Sequence, residues 1–234
     1  SNYGHGAAYV INVTLTDEAI KIIPLPSPAN NSKFGGRGSV GITENYIIVG
    51  AWRDGVNGAD NDAGAAYIYS YKLNISGQIT SCNILHRLIG EGVASSRNFG
   101  SAVDIRGNIA IVSSPNQTEN NDFDCSGAIY FYSTKDVDSS WNQIDKIHIS
   151  KIDGSSNALG HSGHSSLGGG VALSDKYAII GDPWGKVNST DKAGSAYIYK
   201  TKSDILLSDS SGTYIENLTV KKLFNVHYSS GSGY

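Results

Sequence analysis

Oxygen-donor side chains gather in one short stretch, where Asp54, Asn57, Asp60, Asn61 and Asp62 fall together, and again at Asn121, Asp122 and Asp124. Carboxylates at this spacing, helped by backbone carbonyls, are donors of the kind a Ca2+ site uses, and Asp54, Asp60 and Asp62 are the candidate metal ligands. The spacing is not that of an EF-hand loop, and the same residue types also form solvated turns. Trp52 and Trp184 stand in comparable places after two apolar runs. They are a candidate platform for a sugar ligand, because an indole offers a broad apolar face; the competing reading is packing against a neighbouring element.

Two further patterns suggest chemistry and then fail its requirements. Gly36-Arg37-Gly38-Ser39-Val40-Gly41 satisfies G-x-G-x-x-G, but it follows a polar stretch and leads into a strand, whereas a dinucleotide site needs a strand before and a helix after. His161 and His164 sit among serines at 160–166 without a G-x-S-x-G elbow or an acid at ligand spacing, which fits a connecting loop. No residue is assigned a catalytic role, the chain reads as a non-enzyme, and Ca2+ is the one cofactor considered.

Modification offers a third kind of chemistry. Asn-x-Ser/Thr acceptors occur at Asn12, Asn30, Asn74, Asn116, Asn188 and Asn217, mostly in loops or just past strand ends. Asn116 and Asn188 fall in corresponding loops. Cys82 and Cys125 can form one disulfide, although two cysteines are also what a reduced protein carries.

The elements that position these residues are revealed by repetition. Gly6-Ala7-Ala8-Tyr9-Val10-Ile11 recurs as Gly64-Ala65-Ala66-Tyr67-Ile68-Tyr69, as Gly127-Ala128-Ile129-Tyr130-Phe131-Tyr132, and as Gly194-Ser195-Ala196-Tyr197-Ile198-Tyr199. Before the last three copies lie apolar runs, Tyr46 to Trp52, Ile109 to Pro115 and Tyr177 to Pro183, each preceded by a shorter segment after Phe34-Gly35, Phe99-Gly100 or Leu167-Gly168. Each unit therefore reads as four short strands, the fourth being Ile79 to Ile89, Trp141 to Ser150 or Tyr214 to Phe224. The continuous apolar second strand predicts burial on both faces, and the alternating third strand predicts a sheet partly facing solvent. Small residues in Gly-Ala-Ala and Gly-Ser-Ala predict close backbone approach between sheets. No segment has helical periodicity with caps, so the class is all-β.

The units divide the chain into a partial blade over 1–33 holding its last two strands, blades over 34–98, 99–166 and 167–228, and the start of another over 229–234. Such repeats bury their faces against neighbours in a β-propeller of four-stranded antiparallel blades, and about three and a half blades do not close a ring. Further blades are expected from a longer parent chain or a partner subunit. The absence of Met agrees with a processed, trimmed or internal start.

Composition narrows the partners. A net charge of -3 from 18 basic and 21 acidic residues gives no footprint for nucleic acid. No stretch approaches the ~20 apolar residues of a membrane-spanning helix. Charged residues are 17% of the chain, below the roughly 25% of ordinary domains, while Gly and Tyr are abundant.

With its residues laid out, the chain resembles the FG-GAP repeat family, the β-propeller repeats of integrin α-subunit heads and of many secreted proteins. Phe34-Gly35, Phe99-Gly100 and the softened Leu167-Gly168 correspond to Phe-Gly, and Gly50-Ala51-Trp52, Ser113-Ser114-Pro115 and Gly181-Asp182-Pro183 to Gly-Ala-Pro. The stretch from Trp141 through Tyr199 looks most like the family pattern. In integrin-like repeats an Asp-rich loop between the first and second strands holds calcium; here that connection is only Thr43-Glu44-Asn45, Arg106-Gly107-Asn108 or Ser174-Asp175-Lys176, too short for a cage of six to eight oxygens. The resemblance implies a non-catalytic, secreted or cell-surface glycoprotein module, structural or adhesive, whose loops meet other proteins or glycans. The alternatives are a carbohydrate-binding lectin and an accessory propeller of a longer secreted enzyme.

Overall fold

The computed structural model describes residues 6–12, 19–22, 32–36, 38–55, 62–91, 97–117, 127–135, 139–148, 168–183, 194–200 and 221–223. Every regular element among them is a β-strand. A two-stranded sheet, β1 (Ala8–Ile11) and β2 (Ala19–Ile22), comes first. Three four-stranded antiparallel meanders follow: β3 (Val40–Ile42), β4 (Tyr46–Ala51), β5 (Ala65–Leu73) and β6 (Ile79–Leu88); β7 (Val103–Arg106), β8 (Ile109–Ser114), β9 (Ala128–Ser133) and β10 (Asn142–His148); and β11 (Gly170–Leu173), β12 (Tyr177–Asp182), β13 (Ser195–Lys200) and β14 (Lys221–Leu223). These are the expected all-β, blade-like units.

Local chemistry closes the first hairpin of each unit. Thr43 Oγ1 accepts from Tyr46 N at 3.1 Å while Thr43 N donates to Tyr46 O at 2.8 Å. Ser174 repeats both bonds with Tyr177, at 3.0 and 2.8 Å. Between β7 and β8 the turn is made instead by Gly107, at a φ of 53°.

The cores lie between sheets, one for each successive pair. Ala8 and Val10 of β1 share a cluster with Ile47, Val49, Ala65, Tyr67 and Tyr69. On the opposite face of the same unit, Tyr46, Ile48, Ala66 and Ile68 pack against Ala110, Val112, Ala128, Tyr130 and Tyr132. Ile111, Ile129 and Phe131 then meet Ala178, Ile180, Tyr197 and Tyr199. Side chains along a strand point alternately to the two faces, so each blade supplies one set of residues backward and another forward.

This corrects one expectation. The third strand of the first unit does not partly face solvent, because Ala65 through Ser70 are all buried. Its alternation separates two buried interfaces, with tyrosines sent backward and Ala and Ile sent forward.

Candidate interaction surface

The joint between neighbouring blades is built on the Phe-Gly pairs. Phe34 forms a parallel bridge with Gly6, and Phe99 with Gly64, so each phenylalanine backbone lies on the residue that opens the preceding blade's third strand. Phe99 N also donates to Ala63 O at 3.0 Å. The rings turn toward their own blade: Phe34 stands edge-on to Tyr67 at 5.8 Å and Tyr69 at 6.4 Å, and Phe99 to Tyr130 at 5.1 Å and Tyr132 at 6.5 Å. Edge-to-face pairs of this kind contribute about 0.5–1.5 kcal/mol each beyond their burial.

Between the second and third strands, the acidic residues are already engaged. Asp54, at 3% exposure, accepts from Tyr67 Oη and, at 3.0 Å, from Arg87 Nη2, which also reaches Gly55 O at 2.6 Å. Asp62, at a φ of 49°, is held by Arg53 Nη2 at 2.7 Å. Two of the three candidate metal ligands therefore carry arginine partners; Asp60, like Asn57, Asn61, Asn121, Asp122 and Asp124, lies outside the described residues. Among the described residues no group of three or more His, Cys, Asp or Glu lies together as a metal site requires.

The pattern around Tyr67 has a quasi-equivalent in the next blade. The ladders place Arg87 opposite Tyr67, Lys146 opposite Tyr130 and Lys222 opposite Tyr197. Arg87 lies over the Tyr67 ring at 6.0 Å and Lys146 over Tyr130 at 5.3 Å, placing a cation against an aromatic face. Lys146 also pairs with Glu91 at 3.0 Å, and hydrogen bonds from Gln143 and Lys146 hold the Glu91 carboxyl below its ordinary pKa. Desolvation first, then the Asp54 contact, raises the pKa of Tyr67. The spacing of a basic residue in each fourth strand was the available sequence signal for this feature.

Trp52 is half-buried against Gly36, with Arg53 over its ring at 5.3 Å, so packing uses the indole. The ladders pair Ala51 with Ala65 and Asp182 with Ser195, which makes Trp52 the counterpart of Pro183. Trp184 is one residue further along and lies outside the described residues. The two tryptophans therefore do not occupy corresponding positions.

The sequons differ in their surroundings. Asn74 is exposed at the tip of the β5–β6 hairpin, where its Oδ1 accepts from Ser76 N and Gln78 N, both at 2.9 Å, and the following Ile75 is fully exposed. Asn12 is half-buried, and its Nδ2 donates to Gly77 O in that same hairpin turn. Asn116 is half-buried, with its backbone N donating to Arg97 O at 3.3 Å. Asn30, Asn188 and Asn217 lie outside the described residues, as do Cys125 and the 160–166 segment. Cys82 is a free thiol on β6, half-buried beside Tyr71, and burial pushes its pKa up.

Among the described residues, two apolar faces are exposed. Tyr177 and Ile179 on the forward face of the last four-stranded sheet are 49% and 42% exposed, and with Ala172, Leu173 and Ile198 they line a groove of about 330 Å³. On the backward face of β1, Tyr9 and Ile11 are each 59% exposed.

A family model described as FG-GAP repeat matches residues 21–69. The matched stretch runs from β2 through most of β5 and contains Phe34-Gly35, Gly50-Ala51 and Gly64-Ala65-Ala66-Tyr67. The matched repeat thus lies upstream of 141–199, in the first of the two units that have Phe rather than Leu before their Gly. No curated protein matches the chain.

Proposed function

We propose that this FG-GAP repeat chain is a non-catalytic extracellular glycoprotein module, structural or adhesive, which uses a stack of blades to present loops to other proteins or glycans. The observation that carries this reading is the FG-GAP repeat itself, set in a stack whose core is made between sheets. Within the stack the buried Asp54 is tied to Tyr67 and Arg87, which suits a rigid scaffold. The β5–β6 hairpin tip stands outside it, and this exposed Asn74-Ile75-Ser76 segment suits both a glycan and a partner.

The test is a membrane-impermeant, amine-reactive cross-linker applied to intact producing cells, for which the exposed Lys33, Lys72 and Lys176 are ready targets. The chain should be recovered labelled and in conjugates with other proteins. Labelling only after lysis would overturn the extracellular reading, and labelled chain free of conjugates would overturn the interaction reading.

A further inference from the structure

The exposed faces of β1 and of the β11–β14 sheet match the two halves of an interface that the chain already builds between its own blades. By ladder register Tyr177 and Ile179 correspond to Tyr46 and Ile48, which are fully buried where the next blade covers them. The covering surface there includes Tyr130 and Tyr132 of β9. At the other end, the matching parallel bridges of Gly6 and Gly64 align β1 with β5, so Tyr9 and Ile11 take the places that Tyr67 and Tyr69 hold in β5, and Tyr130 and Tyr132 in β9. Their neighbours Ala8 and Val10 are already buried forward.

We infer that copies of this chain associate head to tail, the Tyr9–Ile11 face of one docking on the Tyr177–Ile179–Ile198 face of another. A second copy is the occupant because it carries the required counter-face at an exposed position, and because the contact continues an interface repeated between successive sheets. The contact is heterologous, joining different patches on the two partners. This association does not depend on the extracellular reading.

Sedimentation equilibrium of the full chain over a wide concentration range tests it, with Tyr9→Asp and Ile179→Asp as single variants at opposite ends. Both residues are exposed, and circular dichroism checks that each variant keeps its β-structure. The unsubstituted chain should associate with rising concentration, and each variant should weaken association by about tenfold or more, because an unpaired carboxylate is costly to bury. Mixing the two variants should restore association, since each keeps the face that the other lacks. A monomer at every concentration, as a further blade of the same chain covering the groove would give, overturns the inference, as does failure of the mixed variants to associate.

Discussion

The carbonyl of Phe99 lies against the α-carbon of Gly64, the residue that opens the third strand of the preceding blade. Gly64 has a φ of 85°, and a Cβ there would overlap Phe99 O. Gly6 and Phe34 repeat the relationship one blade earlier, with φ at 83°. The Phe-Gly motif is therefore one side of a joint whose other side is a glycine in the preceding unit.

Gly64→Ala should lower unfolding stability by about 2–5 kcal/mol, combining left-handed backbone strain with overpacking. Gly107→Ala is the control. Its φ is 53°, but nothing lies within 4 Å of the added carbon, so the cost is the backbone part alone, about 1–2 kcal/mol. Denaturant midpoints for the two variants provide the comparison, and equal losses would contradict the joint.

Asp104 ties the innermost strands together. Its Oδ1 accepts from Ile105 N at 2.8 Å and its Oδ2 from Leu173 N of the next blade at 2.6 Å. A Cβ on Gly41 of the preceding blade would lie 3.2 Å from Oδ1. Asp104→Ala should cost about 1.5–3 kcal/mol, the range for a hydrogen bond to a charged group, and Asp104→Asn less. Asp175→Asn, which removes the fully exposed ion pair to Arg106, should leave the midpoint unchanged.

Arg87→Ala should be more damaging than loss of a surface pair. It leaves the Asp54 carboxylate buried beside Tyr67 without its cation, and breaking a buried pair costs about 3–5 kcal/mol. Arg87 is partly exposed, so the lower end of that range is expected. Thermal unfolding of the variant checks it.

Alkali should unfold the protein. Burial raises the pKa values of Tyr67, Tyr69, Tyr130, Tyr132 and Tyr199 above the ordinary value. The folded state therefore holds these protons more tightly than the unfolded chain, whose tyrosines titrate near pH ~10. Their contribution is fully present below that pH and falls as pH rises above it toward the folded-state values. Denaturation midpoints and tyrosinate absorbance measured together should show ionisation of these tyrosines coinciding with unfolding. Titration at the ordinary value with the fold intact would contradict their burial.

The repeat was legible because its marks are local: Gly-Ala-Ala-Tyr and Phe-Gly recur in one order, and the hairpin turns at Thr43 and Ser174 depend on residues three apart. The two-faced burial of β5 was not, since Ala66 and Tyr67 are both apolar and period two alone does not say that both faces are covered. Asp104 left no sequence mark, because its inter-blade partner is a backbone amide distant in sequence. The Asp54–Arg87 pair was hidden for a related reason: Asp54 looks like a turn residue until the β5–β6 register brings Arg87 across Tyr67. Trp52 and Trp184 each follow an apolar run, but the ladders make Trp52 the counterpart of Pro183, one residue before Trp184.

Glycopeptide mass spectrometry of the protein from its producing cells, covering the Asn74 sequon, tests the extracellular module most directly. The exposed Asn74, whose Nδ2 donates to the Gln78 side chain, should carry an N-linked glycan that is lost on enzymatic deglycosylation, whereas the half-buried Asn12, whose Nδ2 donates to the Gly77 backbone carbonyl, should carry less. An unmodified Asn74, with the remaining sequons also bare, would contradict passage of the chain through a secretory compartment and the extracellular role built on it.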